Sequence, residues 1–241
     1  MERERLGSRL GFILLSAGCA IGIGNVWKFP YMVGQYGGGA FVLCYLFFLI
    51  VLGIPVMTIE FALGRASRKS PVKLYNELEK PGQKWHLHGY AAMAGNYLLM
   101  MFYTTVAGWM LHYFFYMAGG TFEGTDVAAV GNVFGNMLAD HYGMIGFMAV
   151  VVILGFGICS IGLQKGLERV SKLLMIALLI IMVVLAVNSL LLEGSGEGLR
   201  FYLLPDFGRM MEIGVGNVML GAMTQAFFTL SLGIGGMAIF G

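Results

Sequence analysis

The chain has 241 residues, 58% of them hydrophobic and 12% charged, with a mean hydropathy of +0.79. Soluble domains carry about 25% charged residues, so the composition excludes an ordinary soluble globule and points to lipid. A formal net charge of +2 lacks the basic excess of a nucleic-acid binder, and no nucleic-acid partner is expected. The opening MERERLGSR carries both signs, and the apolar run behind it is too long and Gly-rich for a cleaved leader. The cysteines, Cys19, Cys44 and Cys159, lie inside apolar stretches without metal-ligand spacing and are expected as small buried core residues.

A helix needs roughly 20 apolar residues to cross a hydrocarbon layer about 30 Å thick. Six stretches qualify in chain order: residues 10–33, 40–63, 90–117, 143–160, 173–192 and 213–241. Residues 193–212 are expected as an extracellular loop between the fifth and sixth. Basic residues fall on one side. Arg3, Arg5 and Arg9 precede the first stretch. Arg65, Arg68, Lys69, Lys73, Lys80 and Lys84 lie between the second and third, and Lys165, Arg169 and Lys172 between the fourth and fifth. The alternate loops hold only Arg200 and Arg209, beside Asp126, Asp140, Glu193 and Asp206. This asymmetry predicts a multi-pass plasma-membrane protein with a cytoplasmic N-terminus.

The first and sixth stretches depart from simple spans. SAGCAIGIGNVWKFP carries Gly18, Gly22 and Gly24, then Asn25, Lys28 and Pro30; TQAFFTLSLGIGGM carries Thr229 and Ser231, then Gly233, Gly235 and Gly236. Each glycine costs an exposed helix about 1 kcal/mol relative to alanine, and several together invite it to open. Glycines also let membrane helices pack closely. Open backbone inside a membrane is tolerated where it lines a cavity or is buried in protein. A pair of Gly-interrupted helices at corresponding positions of two halves points to a transporter binding site. The first and sixth helices correspond if a five-helix unit repeats with inverted topology. The Gly22–Gly24 pair lacks the third glycine and the βαβ context of a nucleotide fingerprint.

Ionisable groups within the apolar stretches are Lys28, Glu60 and His112, and each is costly in lipid. Lys28 could snorkel to the outer surface. Glu60 could sit at the inner interface, or accept hydrogen bonds from amides freed where the sixth helix opens. His112 reads as packing or a local hydrogen bond. Opened helices offer carbonyls, and Asn25 and Thr229 side-chain oxygens, of the kind sodium prefers; half-helix N-termini suit a substrate carboxylate. No HExxH motif, paired acids or nucleophile with a base partner stands in the spans, so no enzyme is expected.

The stretch RLGFILLSAGCAIGIGNVWKFPYMVGQYGGGAFVLCYLFFLIVLGIPVMTIEFALGR resembles the first two helices of the neurotransmitter:sodium symporter family, bacterial branch. QKGLERVSK, PDFGRMM and TQAFFTLSLGIGG continue the resemblance over the whole chain. It implies an all-α integral membrane protein of the inverted-repeat five-plus-five transporter fold. Residues 1–192 would form the first repeat and residues 213–241 the sixth helix, with helices one and six unwound mid-membrane. One sodium ion would be held by the Ala20 carbonyl, Asn25, Thr229 and the substrate carboxylate. A second would take the Gly18 and Ile21 carbonyls. Substrate would meet backbone at Ala20, Gly22 and Gly24, and the side chains of Leu99, Tyr103, Phe228, Thr229, Ser231 and Ile234. Tyr103 and Phe228 would form an outer lid, Lys28 half of an external gate, Arg3 part of a cytoplasmic gate, and Glu60 a brace for helix six. Tyr45 and Gln225 match positions tied to chloride in some members.

Gly22 stands where amine-transporting members place an aspartate. The resemblance therefore implies a substrate bringing its own carboxylate, an apolar or aromatic amino acid given Leu99, Phe228 and Ile234. Leu6 replaces a tryptophan of the inner latch, and Cys19 a small polar residue. Family members have eleven or twelve helices, so a complete site is expected to need helices seven onward. Sodium-coupled amino-acid symport is the leading expectation. The alternatives are a non-transporting fragment, or a half-transporter that assembles with a second copy or a second half.

Overall fold

The computed structural model describes residues 9–241, apart from the side chains of Cys19, Val127, Ala128, Leu163 and Gln164. Among the described residues the regular structure is helical, with one isolated antiparallel bridge from Gly38 to Pro205. The helices are α1 (Arg9–Ala20), α2 (Phe29–Gln35), α3 (Gly39–Phe48), α4 (Ile54–Ser67), α5 (Pro71–Leu78), α6 (His86–Ala118), α7 (Val127–Ala139), α8 (His141–Ser160), α9 (Arg169–Leu191), α10 (Ser195–Leu203), α11 (Phe207–Ile213) and α12 (Val215–Thr229). Wider π-helical turns at Gly24–Lys28, Leu49–Gly53 and Leu163–Glu168 lead into α2, α4 and α9. A short 3-10 turn follows at Met237–Ile239.

Among the described residues, four helical stretches are long and apolar enough to cross a membrane: Gly39–Ser67, His86–Ala118, His141–Ser160 and Lys165–Leu191. The first and last of the six expected stretches are not single long helices. Residues 10–33 divide into α1, a π-turn and α2. At about 1.5 Å per residue, the 15 residues of α12 rise roughly 22 Å, short of a bilayer core. Beyond it Ser231, Gly233 and Gly235 take φ of 51°, 82° and 76°, left-handed values that end a right-handed helix.

The described residues form two compact units, 9–93 with 168–241, and 94–167. In the first, α12 packs on α3 and α1 on α9. Met32, Val33, Ala40, Phe41, Met210, Val218 and Ala222 form its core. Tyr36 stacks on Phe41 with centroids 5.4 Å apart, and a Cβ at Gly221 would press on the Tyr36 ring at 3.1 Å. The triple glycine is held as tightly, because a Cβ at Gly39 would lie 2.7 Å from the Leu204 carbonyl oxygen. Where α1 meets α9, the buried Glu168 carboxylate pairs with Lys172 at 2.7 Å and lies against Gly11, leaving no room for a side chain there.

The second unit joins the later part of α6 to α7 and α8 through aromatic contacts. His112 stacks on Phe147 at 4.3 Å and is buried, and Trp109 meets Phe134 edge-on at 6.2 Å. No residue of α8 or α9 is buried, so their apolar side chains face outward as a lipid-facing span requires. Cys159 is exposed and Cys44 half-buried, not the buried core positions expected. An apolar residue of a membrane span leaves water by facing lipid as readily as by facing protein.

Candidate functional site

Two of the places where the first unit leaves the α-helix, after Ala20 and after Thr229, are tied together by side chains. α1 ends at Ala20; Ile21 and Gly22 bend, and the Asn25 and Val26 amides donate to the Gly22 carbonyl at 3.0 and 3.3 Å. The Phe29 amide then reaches back five residues to the Gly24 carbonyl. No atom lies within 4 Å of a Cβ built on Gly22 or Gly24, so open space adjoins both.

Asn25 is the hub. Its Nδ2 donates to the Ala20 carbonyl at 2.6 Å, and its Oδ1 accepts from the Thr229 hydroxyl at 2.9 Å, at the end of α12. Thr229 Oγ1 in turn accepts from the Tyr45 hydroxyl at 3.1 Å. Each hydroxyl has one proton to give, so the chain runs in one direction, from Tyr45 to Thr229 to Asn25. Gln225, one turn earlier in α12 and fully buried, donates from Nε2 to the Gly24 carbonyl at 3.1 Å and to Asn25 Oδ1 at 3.4 Å. Those two acceptors decide which end of the amide is nitrogen. Its Oε1 has no protein partner among the described residues, and an acceptor left so costs about 1–3 kcal/mol.

Glu60 secures the segment beyond α12. It is 6% exposed, and its Oε1 accepts from the Gly233 amide at 2.7 Å while Oε2 accepts from the Met237 amide at 3.2 Å. Both amides belong to backbone that has left the α-helix, and a carboxylate satisfies two such donors at once. The same segment lies flat on α4, with the Ala238 carbonyl against Gly64, and a Cβ at Gly235 would meet Pro71 of α5 at 2.8 Å.

The structure thus brings together Ala20, Gly24, Asn25, Tyr45, Gln225 and Thr229, with Glu60 anchoring the run that contains Ser231 and Ile234. Ser231 and Ile234 are partly buried and engaged in interactions of their own. Lys28 is exposed, with Nζ 4.9 Å from the Phe228 ring centroid. Gly18 sits at the end of α1 facing Met175 of α9, 3.4 Å from where a Cβ would stand. Leu99 and Tyr103 belong to the second unit, one turn apart on α6, where Tyr103 meets Phe102 edge-on at 5.9 Å. Arg3 and Leu6 lie outside the described residues, as does the Cys19 side chain. Sequence reading singled out Tyr45 and Gln225 only for a chloride role. Their polarity inside apolar spans was the signal that they hydrogen-bond across helices. Ala20 O, Asn25 Oδ1 and Thr229 Oγ1 make an oxygen-only donor set, which suits a hard cation.

A pair of interrupted helices joined by part-buried amide and hydroxyl groups, among long apolar spans, defines a helical membrane protein with a polar centre. The chain belongs to the sodium:neurotransmitter symporter family, whose model matches residues 3–123 and 135–241. It is similar to the uncharacterized sodium-dependent transporter YhdH of Bacillus subtilis, 36% identical over 233 residues, covering 97% of this chain and 51% of that protein. It is also similar to the sodium-dependent neutral amino acid transporter B(0)AT2 of Mus musculus, 28% identical over 267 residues, covering 99% and 36%. Among solved structures, MhsT in complex with L-phenylalanine superposes with a TM-score of 0.87 and 38% identity, over 99% of this chain and 53% of that one. The chain spans about half the length of the bacterial relative it matches.

Proposed function

We propose that the protein carrying this chain is a sodium-coupled amino-acid symporter of the plasma membrane, working by alternating access. Residues 1–192 form its first five-helix repeat, residues 193–212 an extracellular loop and residues 213–241 its sixth helix. The N-terminus is cytoplasmic, and the first and sixth helices are unwound at the membrane midplane. The observation that carries the reading is the chain of bonds from Ala20 through Asn25 to Thr229, which links oxygens of two interrupted helices through one amide side chain. Sodium entering there would exchange those mutual hydrogen bonds for ion contacts, with the substrate carboxylate as a further ligand. The Gly18 and Ile21 carbonyls would contribute to a second ion, completed by later helices. Ala20, Gly22 and Gly24 would present backbone to the substrate, Tyr103 would reach its carboxylate, and Leu99, Phe228, Thr229, Ser231 and Ile234 would line the rest of its pocket. Tyr103 and Phe228 would close over it, Lys28 would serve the outer gate and Arg3 the inner one.

Sodium binding better to one of two states shifts their populations by its differential affinity, which couples the ion gradient to the substrate. The names of B(0)AT2 and of the MhsT complex support an amino acid as that substrate. Uptake by the full-length protein in proteoliposomes tests the ion assignment. Asn25→Ala should raise the sodium concentration needed for half-maximal uptake by tenfold or more, about 1.4 kcal/mol. A sodium dependence identical to wild type would remove Asn25 from the ion site.

A further inference from the structure

The last turn of the span Gly39–Ser67 and the loop joining it to His86–Ala118 contain a concentration of cations that the proposed ion and substrate site does not use. Arg65, Arg68, Lys69, Lys73, Lys80 and Lys84 are all exposed. Among the described residues, ion pairs join only His86 to Glu79 and Lys172 to Glu168, so no described carboxylate lies at contact distance from any of the six. Of the two acids in the loop, Glu79 is engaged by His86, which leaves Glu77 alone against six cations.

The loop is also held in place. α5 buries Leu74 to 1% exposure, Pro71 abuts Gly235, and a Cβ at Gly89 would touch the Val72 backbone at 3.1 Å. Tyr75 meets His88 edge-on at 5.1 Å. Both ends of residues 68–85 enter apolar spans, so the cations cannot leave the bilayer surface. Trp85 and Tyr90, 58% and 50% exposed, stand where α6 enters the membrane, the level at which aromatic rings settle among headgroups.

We propose that residues 65–85 form a docking surface for anionic phospholipid headgroups, the six cations facing phosphates and Trp85 seated at the interface. Charge complementarity selects this occupant: exposed cations with no described carboxylate at contact distance, fixed beside a span, meet anionic lipid before any soluble anion. Each contributes about fivefold in affinity at an anionic surface. The inference rests on the membrane reading above.

Hydrogen exchange of the full-length protein in nanodiscs tests it, comparing phosphatidylcholine alone with phosphatidylcholine mixed with phosphatidylglycerol. Exchange across residues 71–85 should slow by about fivefold or more in the anionic discs. High salt, or the combined substitutions Lys69→Gln, Lys73→Gln, Lys80→Gln and Lys84→Gln, should reverse the slowing. Equal exchange in the two lipids overturns the proposal, as does equal slowing by inorganic phosphate in phosphatidylcholine discs. The spans report separately: fast exchange across Gly39–Ser67 in both discs would sink the membrane reading itself, and this inference with it.

Discussion

Glu60 meets two amides with two oxygens, and a carboxylate is the only side-chain form that accepts at both. Glu60→Gln would turn one oxygen into an NH2 group facing an N–H donor. The expected cost is about 1.5–3 kcal/mol, the usual worth of a hydrogen bond to a charged group, read as a lower melting temperature of the full-length protein. An unchanged melting temperature would mean the segment after α12 is held by packing alone. Gly22 presents the opposite case. A side chain added there meets no atom within 4 Å, so Gly22→Asp should fold normally. Its charge would oppose a substrate carboxylate, and amino-acid affinity should fall by about tenfold or more. Unaltered affinity with an unaltered melting temperature would remove the reason for excluding amines.

At the scale of elements, acids at chain entries decide where helices begin. Asp126, Asp140 and Asp206 accept from the Ala129, Gly143 and Arg209 amides at 2.7, 3.0 and 3.0 Å, capping α7, α8 and α11. Glu79 does the same from outside α6. Its Oε2 accepts from the His86 amide at 3.0 Å while the imidazole approaches Oε1 at 2.9 Å. The His86 amide, and then its ring, hold the Glu79 carboxyl below the usual carboxylate range. A lowered carboxyl contributes stability that is present at neutral pH and lost as pH falls through the folded-state pKa. Wild type should therefore melt above Glu79→Gln at neutral pH, and the gap should close on acidification below about pH 4. A gap constant across that range would show that the charge contributes nothing. Tyr75 on the neighbouring α5 is shifted upward, by burial first and by the Glu60 charge second, so the loop helix senses the carboxylate that anchors the segment after α12.

For the whole molecule, a ligand that binds only the folded state stabilises it by mass action, about 2.7 kcal/mol at one hundred times its dissociation constant. Sodium chloride should accordingly raise the melting temperature of the full-length protein above that in choline chloride at equal ionic strength. Asn25→Ala should shrink the difference, and equal melting in the two salts would count against the ion site.

Much of this was legible in the residue order. The membrane class follows from the spacing of apolar runs and from their shortage of charge, since lipid admits little else. Gly22 and Gly24 mark the first place where the backbone leaves the α-helix, and Gly233 and Gly235 the second, where they take left-handed values that only a residue without a Cβ adopts freely. Short helices α5, α7, α10 and α11 were not visible in what read as loops. Helices of such length owe their stability to caps and tertiary contacts rather than to propensity. Glu60, Asn25 and Thr229 could be singled out as polar groups in apolar runs, but which atoms they meet could not. The Asn25–Thr229 bond joins residues 204 positions apart, and the Glu60–Gly233 bond 173. By itself, then, the sequence determined the solvent this chain inhabits and the points where its helices yield. Only the tertiary structure decided which buried donor faces which acceptor, because hydrogen bonds reach about 3 Å and depend on packing that local periodicity does not encode.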